Sequence, residues 1–83
     1  ALSFFNYGNF LLRQNKHIEA AKNYEKAIEL EESFVDAYYN IAWILTEVKA
    51  YKKALLYAKK GLDFDPDHDA LQNILLKIRD NLG

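Results

Sequence analysis

The chain has 83 residues, a net charge of −1, 51% hydrophobic residues and no cysteine. This length allows one small domain, and the charge gives no electrostatic basis for binding nucleic acid or an anionic membrane. The lack of cysteine excludes disulfides and thiol chemistry and fits a reducing compartment such as the cytoplasm.

Apolar periodicity and helix-breaking residues predict five helices. The first four span about residues 2–14, 18–31, 36–48 and 51–64. Asn15 is predicted to end the first helix, because asparagine tolerates the left-handed backbone region. Pro66 ends the fourth, and Asp67 or Asp69 is predicted to cap a fifth helix through about residue 82, followed by Gly83. Short connections predict antiparallel neighbours.

The sequence also repeats itself with a period of 34 residues. The pairs brought into register include Phe4 with Tyr38, Gly8 with Ala42, Leu11 with Leu45, Ala20 with Ala54, and Ala27 with Gly61. Such a period is typical of stacked helical hairpins, which form binding surfaces rather than catalytic pockets. We expect the small side chains of Gly8 and Ala20 to let the first two helices approach closely where they cross.

Both units resemble the tetratricopeptide repeat family. The first carries the sequence Asn6-Tyr7-Gly8-Asn9 and the second-helix pattern of Ala20, Tyr24 and Ala27. The second keeps the corresponding residues Tyr38, Ala42, Tyr51, Ala54 and the terminal pair Asp65-Pro66. The resemblance implies an all-α fold, a right-handed stack of antiparallel helical hairpins (an α-α superhelix). Ala58 departs from the pattern, because a large residue is usual there.

We divide the single domain, residues 1–83, into a repeat at 1–34, a repeat at 35–68 and a capping helix at 69–83. The last segment begins like a third unit but lacks its signature, since Gln72, Leu76 and Arg79 replace the expected residue types. It resembles the solvating helix that closes many such arrays. The residues predicted to pack on the fourth helix are Leu71, Leu75, Ile78 and Leu82.

In this family the first helix of each unit lines a concave groove. By correspondence, the residues predicted to line it here are Phe5, Asn9, Leu12, Arg13, Tyr39, Asn40, Trp43, Glu47, Asn73 and Lys77, with Thr46 beside them. The aromatic trio of Phe5, Tyr39 and Trp43 is a candidate anchor for an apolar or aromatic peptide side chain. The alternative is that Trp43 simply packs between adjacent helices.

The resemblance implies a non-catalytic protein–protein interaction module, a scaffold or adaptor that binds a protein or peptide without cofactor, metal, nucleic acid or membrane. The alternative is a self-association module, a possible homo-oligomer, because Leu2, Phe5 and Leu56 look misplaced for a simple stack. A third reading is an excised or engineered repeat fragment with no ligand of its own, since methionine is absent even from position 1.

Some grooves in this family hold a peptide's terminal carboxylate with two asparagines and several basic residues. Asn9 and Asn40 match the asparagines, but the basic places hold Phe5, Ala70 and Ile74, so we reject this ligand.

We also reject a calcium site and catalysis. The acidic run at residues 63–69 lacks the tight-turn glycine and the bidentate glutamate of a calcium loop. The two histidines are distant in sequence, and no activated nucleophile or glycine-rich phosphate loop is present.

Overall fold

The computed structural model describes all 83 residues and contains five α-helices and no strand. The helices are α1 (Leu2–Arg13), α2 (His17–Leu30), α3 (Val35–Glu47), α4 (Tyr51–Phe64) and α5 (Asp69–Leu82). The prediction of an all-α stack of helical hairpins is confirmed. Each helix packs against the next, and α5 packs on both α4 and α3.

The two hairpins turn in the same way. Asn15 and Lys49, which are 34 residues apart, both adopt a left-handed backbone, with φ of 61° and 63°. The amide after each one donates a hydrogen bond to the carbonyl five residues earlier, Lys16 to Leu11 at 3.0 Å and Ala50 to Leu45 at 2.7 Å. This is the Schellman ending of a helix, so the predicted stop at Asn15 is confirmed.

The start of α5 corrects the sequence prediction. His68 is the N-cap residue, and its Nδ1 accepts a hydrogen bond from the Leu71 amide at 3.1 Å. Neither Asp67 nor Asp69 caps the helix as predicted, because Asp69 is already the first helical residue and Asp67 lies in the turn. An imidazole nitrogen therefore replaces the usual carboxylate or hydroxyl as the capping acceptor.

The interior consists of two apolar clusters that share α3. The first joins α1, α2 and α3 through Leu11, Ala20, Tyr24, Ala27, Ala37, Ile41 and Ile44. The second joins α3, α4 and α5 through Ala42, Ala54, Ala58, Leu71, Ile74 and Ile78. Because α3 has one side in each cluster, it is the most buried helix and fixes the position of the two hairpins.

The close approach of α1 and α2 depends on Gly8 and on the ring of Tyr24. A Cβ atom at Gly8 would lie 2.6 Å from Cε1 of Tyr24, which is closer than real atoms approach. At the corresponding positions the second unit holds Ala42 and Ala58, so a small and a large residue are replaced by two small ones. Ala42 and Ala58 are both fully buried, so the departure at Ala58 from the family pattern lies inside the second apolar cluster.

The last helix, α5, packs on α4 much as predicted. Leu71 and Ile78 are fully buried, and Leu75 is half-buried. Leu82 was expected in this contact but is 43% exposed, because it lies in the last turn beyond the second apolar cluster. Ile74, which the prediction omitted, is buried in its place.

Candidate functional site

A cleft of about 320 Å³ lies between α3 and α5. It brings together half of the predicted groove residues, namely Tyr39, Trp43, Glu47, Asn73 and Lys77. Thr46, Ala70 and Ile74 complete its lining. Tyr39, Trp43 and Glu47 are four residues apart along α3 and therefore share one side of that helix.

Trp43 has two environments. Its indole is half-buried, packs against both apolar clusters and stacks on the ring of His17 with the centroids 6.1 Å apart. The same side chain lines the cleft. The two alternatives considered for Trp43, groove lining and packing between helices, therefore describe different parts of one residue.

The predicted residues on α1 lie apart from the cleft. Phe5 is half-buried, with its ring 4.8 Å from that of Phe34 and 5.5 Å from that of Tyr24. Leu12 is also half-buried against the first apolar cluster, and Arg13 is exposed. The structure therefore brings Tyr39 and Trp43 together in the cleft, while Phe5 belongs to the packing of the first unit.

Asn9 and Asn40 form a partly buried polar network where α1, α2 and α3 meet. Asn9 Oδ1 accepts hydrogen bonds from the Tyr24 hydroxyl at 2.6 Å and from Asn40 Nδ2 at 3.3 Å. These bonds link α1, α2 and α3. The bond from the Tyr24 hydroxyl also satisfies the polar end of a tyrosine that is fully buried. In the second unit Trp43 and Ala58 replace Asn9 and Tyr24, so the network has no counterpart there.

The charges around the cleft are free of partners. The structure contains one short contact between acidic and basic side chains, from His68 Nε2 to Asp36 Oδ1 at 3.6 Å. Glu47 and Lys77 are therefore exposed and unpaired at the edge of the cleft. Each is available to a charged group of a ligand.

Burial raises the pKa of the Tyr24 phenol above its usual value of 10.0, and the Asn40 amide and the Arg13 charge oppose this shift. Burial also raises the pKa values of Tyr38 and Tyr57. A raised pKa means that the unfolded chain loses these protons first. The contribution of these phenols to the free energy of unfolding is therefore fully present below about pH 10 and decreases as the pH rises further.

We expect Tyr24→Phe to weaken this alkaline decline. The substitution removes one hydrogen bond, so stability at neutral pH should fall by about 1 kcal/mol, while the loss between about pH 10 and 11 should be smaller than in the unmodified chain. Urea unfolding at several pH values measures both effects. Tyr7→Phe, at an exposed position, is the matched control. Parallel declines in the two variants would contradict a contribution from Tyr24.

A second depression, which sequence reasoning missed, adjoins the cleft. It has a volume of about 450 Å³ and includes Ile18 and Val48, which are 72% and 56% exposed. Glu47 lines both depressions, so they meet at the end of α3. The sequence did contain an indication of this depression. Ile18 and Val48 are β-branched apolar residues beside turns, and neither fits the periodic apolar pattern of its unit.

No helix in the structure has the length and apolar character that crossing a membrane requires.

A family profile described as TPR repeat matches residues 8–45, and another described as tetratricopeptide repeat matches residues 35–68.

Two curated proteins have similar sequences. Protein O-mannosyl-transferase TMTC3 of Homo sapiens is 33% identical over 67 residues, which is 80% of this chain and 7% of that protein. The UDP-N-acetylglucosamine–peptide N-acetylglucosaminyltransferase of Giardia intestinalis is 32% identical over 65 residues, 78% of this chain and 4% of that protein. The chain thus spans less than a tenth of the length of either relative. Since the two profiles together match residues 8–68 and the fold is a stack of helical hairpins, the chain belongs to the tetratricopeptide repeat family.

Proposed function

We propose that this chain is a non-catalytic interaction module that binds a peptide or an extended segment of another protein in the cleft between α3 and α5. The observation that supports this most is the position of Trp43, the only tryptophan, which rests on both apolar clusters and still lines the cleft. A large aromatic side chain held by packing is the usual centre of a protein–protein contact.

The lining of the cleft indicates the chemistry of the ligand. Tyr39 and Trp43 offer aromatic surface beside the apolar side chains of Ala70 and Ile74. A volume of about 320 Å³ is small for a binding site, so it suits one or two side chains of a longer segment. We infer an apolar or aromatic side chain as the anchor.

The unpaired charges of Glu47 and Lys77 at the edge of the cleft indicate which charged groups a ligand would carry. Glu47 favours a basic group on the ligand, and Lys77 favours an acidic one. The depression beside Ile18 and Val48 adjoins the cleft at Glu47 and extends from there toward the turn between α1 and α2. A segment longer than the cleft has further apolar surface to contact there. The transferase activities named for the two relatives are not part of the proposal, because the chain spans so little of either.

The proposal predicts that Trp43→Ala weakens peptide binding. Peptides are first selected from a random library on the unmodified chain, and their dissociation constants are then measured by calorimetry. We expect at least a thirtyfold weakening, which corresponds to the loss of about 2 kcal/mol that marks a central contact residue. Glu47→Lys and Lys77→Glu, both at exposed positions, should change which charged peptides bind.

Leu56→Ala is the control, because Leu56 is 61% exposed on α4 and does not line the cleft. Circular dichroism establishes that Trp43→Ala remains folded before its affinity is compared. Selected peptides that bind a folded Trp43→Ala variant as tightly as the unmodified chain would overturn the proposal.

A further inference from the structure

We propose that the outward side of α4, with the turn before it, binds an acidic segment of another protein that also carries an apolar residue. This surface, the α4 basic face, consists of five exposed lysines and one exposed leucine. Its residues are Lys49, Lys52, Lys53, Leu56, Lys59 and Lys60. The proposal is independent of peptide binding in the cleft, because no residue of α4 lines the cleft.

The positive charge of the chain is concentrated on this face. Residues 49–60 hold five of the eleven basic residues of the chain and none of its twelve acidic residues. None of these lysines makes a short contact with an acidic side chain, since the one such contact in the structure joins His68 and Asp36. The face therefore carries a local positive field, although the net charge of the whole chain is −1.

The corresponding side of α2 is also exposed, although α3, α4 and α5 follow it in the stack. The residues 34 positions earlier, all of them exposed, are Asn15, Ile18, Glu19, Lys22, Glu25 and Lys26. A unit that follows leaves this side of α2 open to solvent, and a unit that precedes leaves the same side of α4 open. The charges differ, because the six positions on α2 hold two acidic and two basic residues. The positive charge on α4 is therefore a property of this unit and not of the repeat.

Two depressions place apolar surface beside the lysines. One, of about 260 Å³, is lined by Leu56, Tyr57 and Lys60. The other, of about 430 Å³, lies at the start of α4, and half of its lining residues are lysines. A ligand with an apolar side chain between carboxylates would cover Leu56, which is 61% exposed, and would bring its negative charges beside the lysines.

Acidic residues at the edges of the face favour a short protein segment over a membrane or a nucleic acid. Glu25 and Glu29 of α2 line a depression together with Lys60, and the Glu25 carboxylate accepts a hydrogen bond from the Tyr57 hydroxyl at 3.2 Å. Asp63 continues the same side of α4 one turn beyond Lys60. An extended anionic surface would meet these carboxylates. The lysines of α4 span about 12 Å, or about two helical turns, which a short acidic segment matches.

Fluorescence anisotropy with a labelled synthetic peptide tests this proposal. The probe is a peptide of about twelve residues with glutamates on both sides of one leucine. Its dissociation constant for the unmodified chain should rise at least about tenfold when the salt concentration increases from about 0.02 M to about 0.3 M, because salt screens exposed charges.

Two charge-matched variants locate the contact. Replacing Lys52 and Lys59 together, as Lys52→Glu and Lys59→Glu, should weaken probe binding by at least about tenfold, because two attractive charges become repulsive. The control combines Lys16→Glu and Lys22→Glu, which change the net charge equally at exposed positions that line neither depression. It should bind the probe within about threefold of the unmodified chain. Circular dichroism establishes that both double variants remain folded.

The leucine of the probe reports on Leu56. Leu56→Ala should weaken binding of the probe by about threefold or more, but not that of a second peptide in which serine replaces the leucine. Equal losses in the two charge-matched variants, or no binding at about 1 mM probe in low salt, would overturn the proposal. So would equal effects of Leu56→Ala on the two peptides, or tighter binding to phosphatidylserine vesicles or to a single-stranded oligonucleotide than to the probe.

Discussion

Deletion of residues 69–83 is expected to leave a chain that is unfolded or aggregates. The deleted helix α5 carries Leu71, Ile74 and Ile78, which are 0%, 6% and 0% exposed. Burying three such side chains stabilises a fold by roughly 5–9 kcal/mol, while a domain of this length has a total stability of about 4–12 kcal/mol. The remaining hairpins would also expose the apolar side of α4 to solvent.

Far-ultraviolet circular dichroism and size-exclusion chromatography at low concentration measure this outcome. Deletion of residues 82–83 alone is the control, because both are exposed and lie outside the second apolar cluster. It should leave the helical signal and the elution volume unchanged. A helical and monodisperse product from the longer deletion would show that the four remaining helices fold without α5.

The five helices were predictable because one pattern of residues occurs twice in the sequence, 34 residues apart. Small residues recur at the 34-residue spacing, as Gly8 with Ala42 and Ala20 with Ala54, so the assignment of the helices in one unit supports that in the other. The cap of α5 was not predictable in this way. Three aspartates around Pro66 are each suitable caps by residue type. The imidazole of His68 instead lies at the helix start, where it contacts two residues of α3, the ring of Tyr39 with centroids 6.2 Å apart and Asp36 Oδ1 at 3.6 Å.

The candidate site was predictable in part for a similar reason. Tyr39, Trp43 and Glu47 share one side of α3 through helical periodicity alone, and Asn73 and Lys77 follow on α5 by the repeat. The prediction that Phe5 belongs with them assumed that equivalent positions have equivalent neighbours. Phe5 instead meets Phe34, a residue in the turn before α3 that the repeat pattern does not describe.

Leu71→Ala is expected to destabilise the fold by about 2–5 kcal/mol, the range for removing a fully buried leucine. Leu71 lies against Gly61 of α4, where a Cβ atom would come within 2.7 Å of its Cδ1. Shortening Leu71 therefore leaves a cavity beside a residue that has no side chain to fill it. Leu76→Ala, at a position 60% exposed on the same helix, should change stability by less than about 0.5 kcal/mol in the same urea titration.

The first unit suggests how this cavity can be filled. Ala27 and Ala37 stand there at the positions of Gly61 and Leu71, and both are fully buried. Gly61→Ala alone should destabilise by about 1–3 kcal/mol, because its methyl group would lie 2.7 Å from Leu71 Cδ1 and 3.0 Å from Tyr38 Cβ, although alanine favours the helix by about 1 kcal/mol. When combined with Leu71→Ala, the same methyl group enters the cavity instead. The double variant should therefore lose less stability than the sum of the single losses, by at least about 0.5 kcal/mol. Strict additivity would mean that the two side chains do not compete for one space, and that the exchange between the units has another cause.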